Sequence, residues 1–169
     1  MTDWAEVGKK IRPTIEYRSS DHYSARMNAI SNELNSMGLR EEAGHIQAMK
    51  NKLTATRPAF VHSVAVEASI IAKRQEREMV GHGRYIPTGN LMRSIGVHEA
   101  GNKVEVYPDA VSKDGKTEYG GFVHDGTRLE PIPKPYIKNA YEIMQAKSAA
   151  MLEQYVNQVG GGVVGGNIT

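Results

Sequence analysis

The sequence predicts an α+β fold: long N-terminal helices, a small antiparallel β-sheet packed against helices, a closing C-terminal helix and a flexible Gly-rich tail. Three observations predict this fold. Apolar residues recur at helical spacing between residues 56 and 72, alternate with period two between 95 and 106, and return to helical spacing after residue 135. Because helices, strands and a helix come as successive blocks, the order favours a separate antiparallel sheet over a parallel sheet of βα units.

Size and composition indicate one globular domain, or one domain with an appendage. The chain has 169 residues, of which 40% are hydrophobic and 7% aromatic, and its mean hydropathy is -0.48. These values predict a thin core, so we expect neighbouring subunits to contribute to stability. The 21 basic residues exceed the 19 acidic ones by two, which gives no strong field for attracting nucleic acid or an anionic membrane.

The absence of cysteine limits the possible chemistry, and the absence of long apolar runs limits the possible cellular location. The sequence has no cysteine, which excludes disulfide bonds, a thiol nucleophile and a Cys-type zinc site. The first residues, MTDWAEVGKK, lack the apolar region of a signal peptide, and no run approaches the ~18 apolar residues of a membrane span. We therefore expect a protein that is made in the cytoplasm and has no membrane partner.

Residues 1 to about 80 are predicted to be helical. The stretch SSDHYSARMNAISNELNSMG has cap candidates at its start and Gly38 as its stop, and a short charged segment follows over 39–53. A third helix is predicted to start with Thr56 as cap and Pro58 in its first turn. Its buried stripe is predicted to contain Phe60, Val61, Val64, Ala65, Ala68, Ile71 and Ala72. These helices suggest a helical region over 1–55 and an α+β domain over 56–159.

The second half of the chain predicts a hairpin and a closing helix. Period-two alternation over 95–97 and 104–106 flanks the turn Gly101-Asn102, which indicates a β-hairpin. Two strands alone are marginal, so we expect a third strand or a partner's edge. The stretch AVSKDGKTE has the composition of an exposed loop. A helix from Pro135 to about Val159 should bury a side containing Ile137, Tyr141, Met144, Met151, Leu152 and Tyr155. The tail over 160–169 is too rich in glycine to be expected to hold structure.

The sequence contains no specific motif for catalysis, cofactor binding or metal binding. The pattern GxGxxG at 160–165 has no strand before it, and the six histidines show no HExxH spacing, so no cofactor and no metal are predicted. His124 and Asp125 adjoin in a glycine-rich segment, as an acid–base pair would; the competing interpretation is that Asp125 and Gly126 shape a turn. Three mild basic clusters, at 9–12, 50–57 and 73–77, favour solvated helix faces with i, i+4 ion pairs over contact with DNA.

Two segments carry a resemblance to a known family: PTGNLMRSIGV at 87–97, followed by YGGFVHDGTRLEPIPKPYIKNAY at 119–141. In this order they resemble the small neck and tail-completion proteins of tailed bacteriophages. That family has a T-G-x-L-x-x-S-I segment, a segment ending in Gly-Thr, a proline-rich segment and a closing helix. The first segment is matched here by Thr88, Gly89, Leu91, Ser94 and Ile95. The other two are matched by Tyr119, Val123, Gly126, Thr127, Pro133, Pro135, Tyr136 and Ala140.

The match has departures and covers about a third of the chain. Gly120 stands where alanine is usual, and Tyr136 replaces phenylalanine. His124 resembles the histidine of the related virion morphogenesis proteins of Mu-like phages, so both branches stay open. The resemblance implies a non-enzymatic virion protein that forms a ring of six or twelve copies. Its implied partners are head connector or portal-side proteins, tail terminator or tail tube proteins and, weakly, double-stranded DNA passing through the lumen.

The proline-rich segment is interpreted as an ordered surface for a neighbouring subunit. Prolines fix φ, which lowers the entropy lost on association, and the segment TRLEPIPKP with Pro131 and Pro133 is too polar for a core. Tyr119, Phe122 and Tyr136 would supply contact area; for Phe122 and Tyr136 a place in the monomer core is equally open. Thr88 is predicted to cap a short helical turn. Two other functions remain as alternatives: a nucleic-acid-binding accessory protein, and a hydrolase or nuclease that uses His124 and Asp125.

Overall fold

The computed structural model describes residues 12–18, 22–80, 88–128 and 131–164, with side chains as far as residue 161. It confirms the α+β class. The elements in chain order are β1 (Ile15–Arg18), α1 (His22–Ser36), α2 (Arg40–Val80), α3 (Asn90–Ser94), β2 (Ile95–Ala100), β3 (Lys103–Pro108), α4 (Gly120–Asp125) and α5 (Tyr136–Val164). Within the described ranges, no helix has the length and apolar character that a membrane span requires.

The sheet is the predicted hairpin with a third strand added. The hairpin is confirmed: β2 and β3 pair antiparallel around Gly101, whose φ of 65° a glycine adopts without strain. The strand order is β1-β3-β2, and Ile15 of β1 lies opposite Val106. The prediction of helix over the whole N-terminal region is therefore wrong at 15–18. The alternation of Ile15 with Tyr17 suits a strand, and β1 satisfies the edge of β3 that the hairpin leaves open.

The first helix ends as predicted. Gly38 has a φ of 82°, and the amide of Leu39 donates to the carbonyl of Leu34 at 2.9 Å, which closes the end of α1. The hydroxyl of Ser31 is buried and donates to the carbonyl of Ala43 at 3.1 Å. This hydrogen bond fixes α1 against the start of α2. Residues 1–11, including the basic residues Lys9 and Lys10, lie outside the described residues.

The second and third predicted helices are one continuous helix, α2. Thr56 is not a cap, since its hydroxyl donates to the carbonyl of Lys52 at 2.8 Å inside the helix. Pro58 therefore lies in the helix interior, where it removes one backbone hydrogen bond. The hydroxyl of Tyr155 on α5 lies 2.7 Å from Thr56 Oγ1 and 3.4 Å from the Leu53 carbonyl oxygen, and this contact braces the weakened turn. The boundary proposed between residues 55 and 56 falls inside α2.

The core lies between the inner face of the sheet, α2 and the first half of α5. Most of the predicted α2 stripe is buried, namely Val64, Ala65, Ala68, Ile71 and Ala72. α5 runs antiparallel beside α2, as the pairs Tyr155–Phe60, Lys147–Glu67 and Asn139–Gln75 show. On α5 the burial of Ile137 and Met144 is confirmed, but Tyr141 and Leu152 are 45% and 51% exposed, contrary to expectation.

The Gly-rich tail is shorter than predicted. α5 continues through Gly160 and Gly161 to Val164 instead of ending near Val159. Val159 is buried, and a methyl group added at Gly160 would lie 3.9 Å from Met49 on α2. Packing against α2 thus overcomes the low helix propensity of glycine. Residues 165–169 lie outside the described residues.

Candidate functional site

The first family-like segment builds the entry to the sheet. Gly89, with a φ of 73°, is the N-cap residue of α3, and the hydroxyl of Thr88 accepts a long hydrogen bond of 3.4 Å from the amide of Asn90. The prediction that Thr88 is the cap residue is therefore wrong: Gly89 is the N-cap residue, and Thr88 contributes only this one hydrogen bond. Leu91 and Ile95 are buried in the core. Ser94 is part-buried, and its hydroxyl donates to the Leu91 carbonyl at 2.7 Å. This segment therefore has a structural role in the monomer.

The second segment contains a short helix, α4, which the sequence did not predict. Tyr119 is its N-cap residue, and Gly126, with a φ of 82°, follows its last residue. A methyl group added at Gly120 would lie 2.6 Å from Pro108 Cγ, so only glycine allows this approach to the end of β3. The hydroxyl of Tyr136 donates to the Gly120 carbonyl at 3.0 Å. Glycine thus permits the helix to pack closely instead of making the segment a loop.

His124 joins α4 to the start of α5. Its Nδ1 lies 2.5 Å from a carboxylate oxygen of Asp125, so the predicted pair is present. Its Nε2 accepts a hydrogen bond of 3.4 Å from the amide of Lys138 in the first turn of α5, and its ring meets that of Tyr136 edge to face. Nδ1 consequently carries the proton that points at Asp125. Because both nitrogens have structural partners, the geometry favours a helix-capping role over an acid–base role.

An open groove of about 310 Å³ lies beside His124, between β1 and α5. Its apolar lining includes Ile15, Ile137 and Tyr141, and its polar rim includes Glu16 and Lys138. The Glu16 carboxylate accepts hydrogen bonds from Arg18 and Lys103, which lower its pKa. Among the described residues, no group of three or more His, Asp or Glu side chains could hold a metal ion.

The proline-rich segment is fixed at its C-terminal end and exposed before it. The amide of Lys134 lies 3.0 Å from the carbonyl oxygen of His124 and 3.3 Å from that of Val123, so it donates to the end of α4. Ile132 is 67% exposed, and the flanking Pro131 and Pro133 are exposed too. The segment therefore presents an apolar side chain to solvent on an anchored backbone.

The structure separates Phe122 and Tyr136, the two rings for which both an interface and a core position were open. Tyr136 is fully buried in the monomer core, so it offers no surface to a partner. Phe122 is 47% exposed and does not fill the core. Tyr119 and Val123 are partly buried against the core, and Thr127 is part-buried after α4. The carbonyl of Pro135 accepts a hydrogen bond of 2.9 Å from the amide of Asn139, where α5 begins.

Sequence reasoning missed two polar groups inside the fold. The hydroxyl of Tyr17 is buried with no hydrogen-bond partner in the described part of the chain, and burial, with the nearby Tyr141, raises the pKa of Tyr17 to about 12. Burial also raises the pKa of Glu76, which is 3% exposed. The alternation of β1 would have indicated that Tyr17 points inward, had 15–18 been recognised as a strand.

A stacked group covers the outer face of the sheet. His98 stacks on Tyr107 with ring centroids 3.8 Å apart, and the guanidinium of Arg12 lies 4.4 Å from the Tyr107 centroid. Arg12 also forms an ion pair with Glu118. Arg12, which belongs to the predicted basic cluster at 9–12, thus makes structural contacts within the subunit. In the cluster at 50–57, Lys50 donates to Asn28 at 2.8 Å.

No family model, curated protein or solved structure matches the chain.

Proposed function

We propose that this chain is a structural protein of the tailed-bacteriophage virion, in which several copies close a ring at the head-tail junction, between the head connector and the tail. The motif order supports the proposal. A long helix leads to α3 and β2, the hairpin follows, and α4, the proline-rich segment and α5 come next. This order is that of the family which the sequence resembles. Such a protein acts through the geometry of its interfaces, with no chemical step.

The single observation that carries the proposal is the exposed proline-rich segment. An interface would gain both the apolar area of Ile132 and the restricted backbone that the two flanking prolines provide. Phe122, on the adjoining α4, adds a second exposed apolar side chain. Aromatic and aliphatic anchors on an ordered backbone are typical of the centres of protein interfaces.

The test is the mass of the purified protein by light scattering across a concentration series, with and without head-connector complexes from the same source. A ring in solution, or a monomer that forms a ring on the connector, is the expected result. The variant Ile132→Asp should weaken attachment to the connector or closure of the ring. Met37→Asp is the matched control, because Met37 is 66% exposed at the turn between α1 and α2. A monomer that ignores every connector would refute the proposal.

A further inference from the structure

The long helix α2 carries an apolar and basic stripe on the side away from the core. Val66 and Ile70 each lie two residues from the fully buried Ala68, about 200° around the helix. They are 37% and 46% exposed. The α2 outer stripe continues at spacings of three or four residues and consists of the exposed residues Ala59, Ser63, Val66, Ile70, Arg74 and Arg77. Such spacing is typical of a seam between two packed helices.

α5 carries a corresponding stripe that is mainly apolar and has one acidic residue, Glu142, at its N-terminal end. Ala149 lies two residues, about 200°, from Lys147, which forms an ion pair with Glu67 of α2. Leu152 and Val156 are 51% and 38% exposed on the same side. The α5 outer stripe consists of the exposed residues Glu142, Gln145, Ala149, Leu152 and Val156. This stripe therefore faces away from the α2 helix of its own subunit.

The two stripes are complementary when they run antiparallel. Ile70 and Arg77 are seven residues apart, as are Ala149 and Glu142. Placing Ile70 against Ala149 therefore puts Arg77 beside Glu142. The same alignment places Val66 near Leu152. A parallel alignment would put the basic end of the α2 stripe against Val156 and lose the charge match.

The charged residues at the ends of the two stripes are available to a second copy. In the part of the chain that the structure describes, Arg74, Arg77 and Glu142 form no ion pair, so the i, i+4 pairs predicted for the basic cluster at 73–77 do not form there. Single exposed apolar residues need no explanation. An explanation is needed for two exposed stripes that have matched spacing and opposite charges at their ends and lie on different sides of one helix pair.

We propose that the α5 outer stripe of one copy packs antiparallel on the α2 outer stripe of a second copy. The contact repeats between copies the antiparallel arrangement that α2 and α5 have within one. It is heterologous, because two different surfaces meet, so each copy keeps one free stripe for a further copy. The inference rests on the proposed function only for closure of this contact into a ring.

The absence of cysteine allows a direct test by disulfide crosslinking between copies. The full chain carrying Ile70→Cys is mixed with a tagged chain carrying Ala149→Cys and oxidised, and the mixed product is distinguished by mass. The matched control replaces Ala149→Cys by Val156→Cys, about 10 Å along α5 and out of register. We expect the first mixture to give at least tenfold more mixed product than the control. Equal yields, or mostly self-pairs, would overturn the proposed register.

A charge reversal tests the interface without cysteines. Arg77→Glu should weaken association about three- to fivefold, as expected for one partly exposed ion pair, and Glu142→Arg in the same chain should restore it. Arg26→Glu on α1 is the control and should leave association unchanged. Association that survives reversal, together with no selective crosslink, would overturn the inference while leaving ring formation to support the proposed function. A chain that is monomeric at every concentration, including on connector complexes, would overturn both.

Discussion

Replacing Tyr17 by phenylalanine should stabilise the protein. The hydroxyl of Tyr17 is buried without a partner in the described residues, and an unsatisfied buried group costs about 1–3 kcal/mol. Because the whole residue is only partly buried, we expect a gain at the lower end, about 1 kcal/mol, for Tyr17→Phe. For a chain of this size that gain corresponds to a rise in Tm of about 2–4 °C. Thermal and urea unfolding followed by circular dichroism would measure it.

The same substitution should change the alkaline limit of stability. Burial raises the pKa of Tyr17 from its ordinary value of 10.0 to about 12, so the unfolded chain ionises first. Tyr17 therefore leaves the free energy of unfolding independent of pH below pH 10 and lowers it as the pH rises from 10 through 12. A shift of two units corresponds to about 2.7 kcal/mol, which we reduce roughly by half for the solvent that reaches the ring. The advantage of Tyr17→Phe over the parent should therefore grow by about 1 kcal/mol across this interval.

Tyr23→Phe is the matched control. The Tyr23 hydroxyl lies 3.2 Å from the hydroxyl of Thr54 at an exposed position, so its removal should give no gain in stability. The reasoning would be refuted if Tyr17→Phe lost stability at pH 7 and kept the alkaline profile of the parent. That result would mean that the Tyr17 hydroxyl has a partner in the folded state.

Three further substitutions test the contacts that shape the fold. Gly120→Ala should cost about 1–3 kcal/mol, since the added methyl group would meet the Pro108 ring at 2.6 Å, and urea unfolding measures the loss. Pro58→Ala should raise the free energy of unfolding by about 1–3 kcal/mol, because it restores a helix hydrogen bond, measured in the same assay. His124→Ala should cost about 1 kcal/mol and speed amide exchange of Lys138, whose N–H loses its acceptor, as hydrogen exchange would show.

Each of these substitutions has a control or an opposite outcome. Gly44→Ala adds a methyl group to open space in α2, so it should be neutral or stabilise by up to about 1 kcal/mol. If Gly120→Ala behaved likewise, the contact with Pro108 would be wrong. A loss of helical signal in Pro58→Ala would contradict a continuous α2. Unchanged exchange at Lys138 in His124→Ala would contradict the cap.

The features that sequence could predict are those fixed by neighbouring residues. The turn at Gly101, the end of α1 at Gly38 and the buried stripe of α2 depend on spacing and on backbone freedom within a few residues. The strand β1 could not be recognised in this way, because four residues become a strand only by pairing with β3, roughly ninety positions later. For the same reason Pro58 indicated a helix start, although it lies inside α2, where Tyr155 of α5 contacts the neighbouring Thr56.

In the candidate site, too, contacts between neighbouring residues could be predicted from the sequence and contacts between distant elements could not. Adjacency of His124 and Asp125 in the sequence left two interpretations open, an acid–base pair or a turn, and the structure shows the two side chains in contact. The amide of Lys138, which decides between an acid–base pair and a helix cap, comes from another element and leaves no local signal. Phe122 and Tyr136 were equivalent in the sequence, and only packing separated a surface ring from a core ring.

Composition and surface are connected through α2. Its core side is built largely from Ala65, Ala68 and Ala72, all fully buried, so close packing is achieved with little apolar area per residue. The larger side chains of Val66 and Ile70 lie on the opposite side, in water. Val64 and Ile71 are larger side chains that this helix does bury. In the contact that we propose, a second copy would cover the apolar area of Val66 and Ile70 as well. If the proposed contact forms, association of copies would therefore add to the folding stability of each copy.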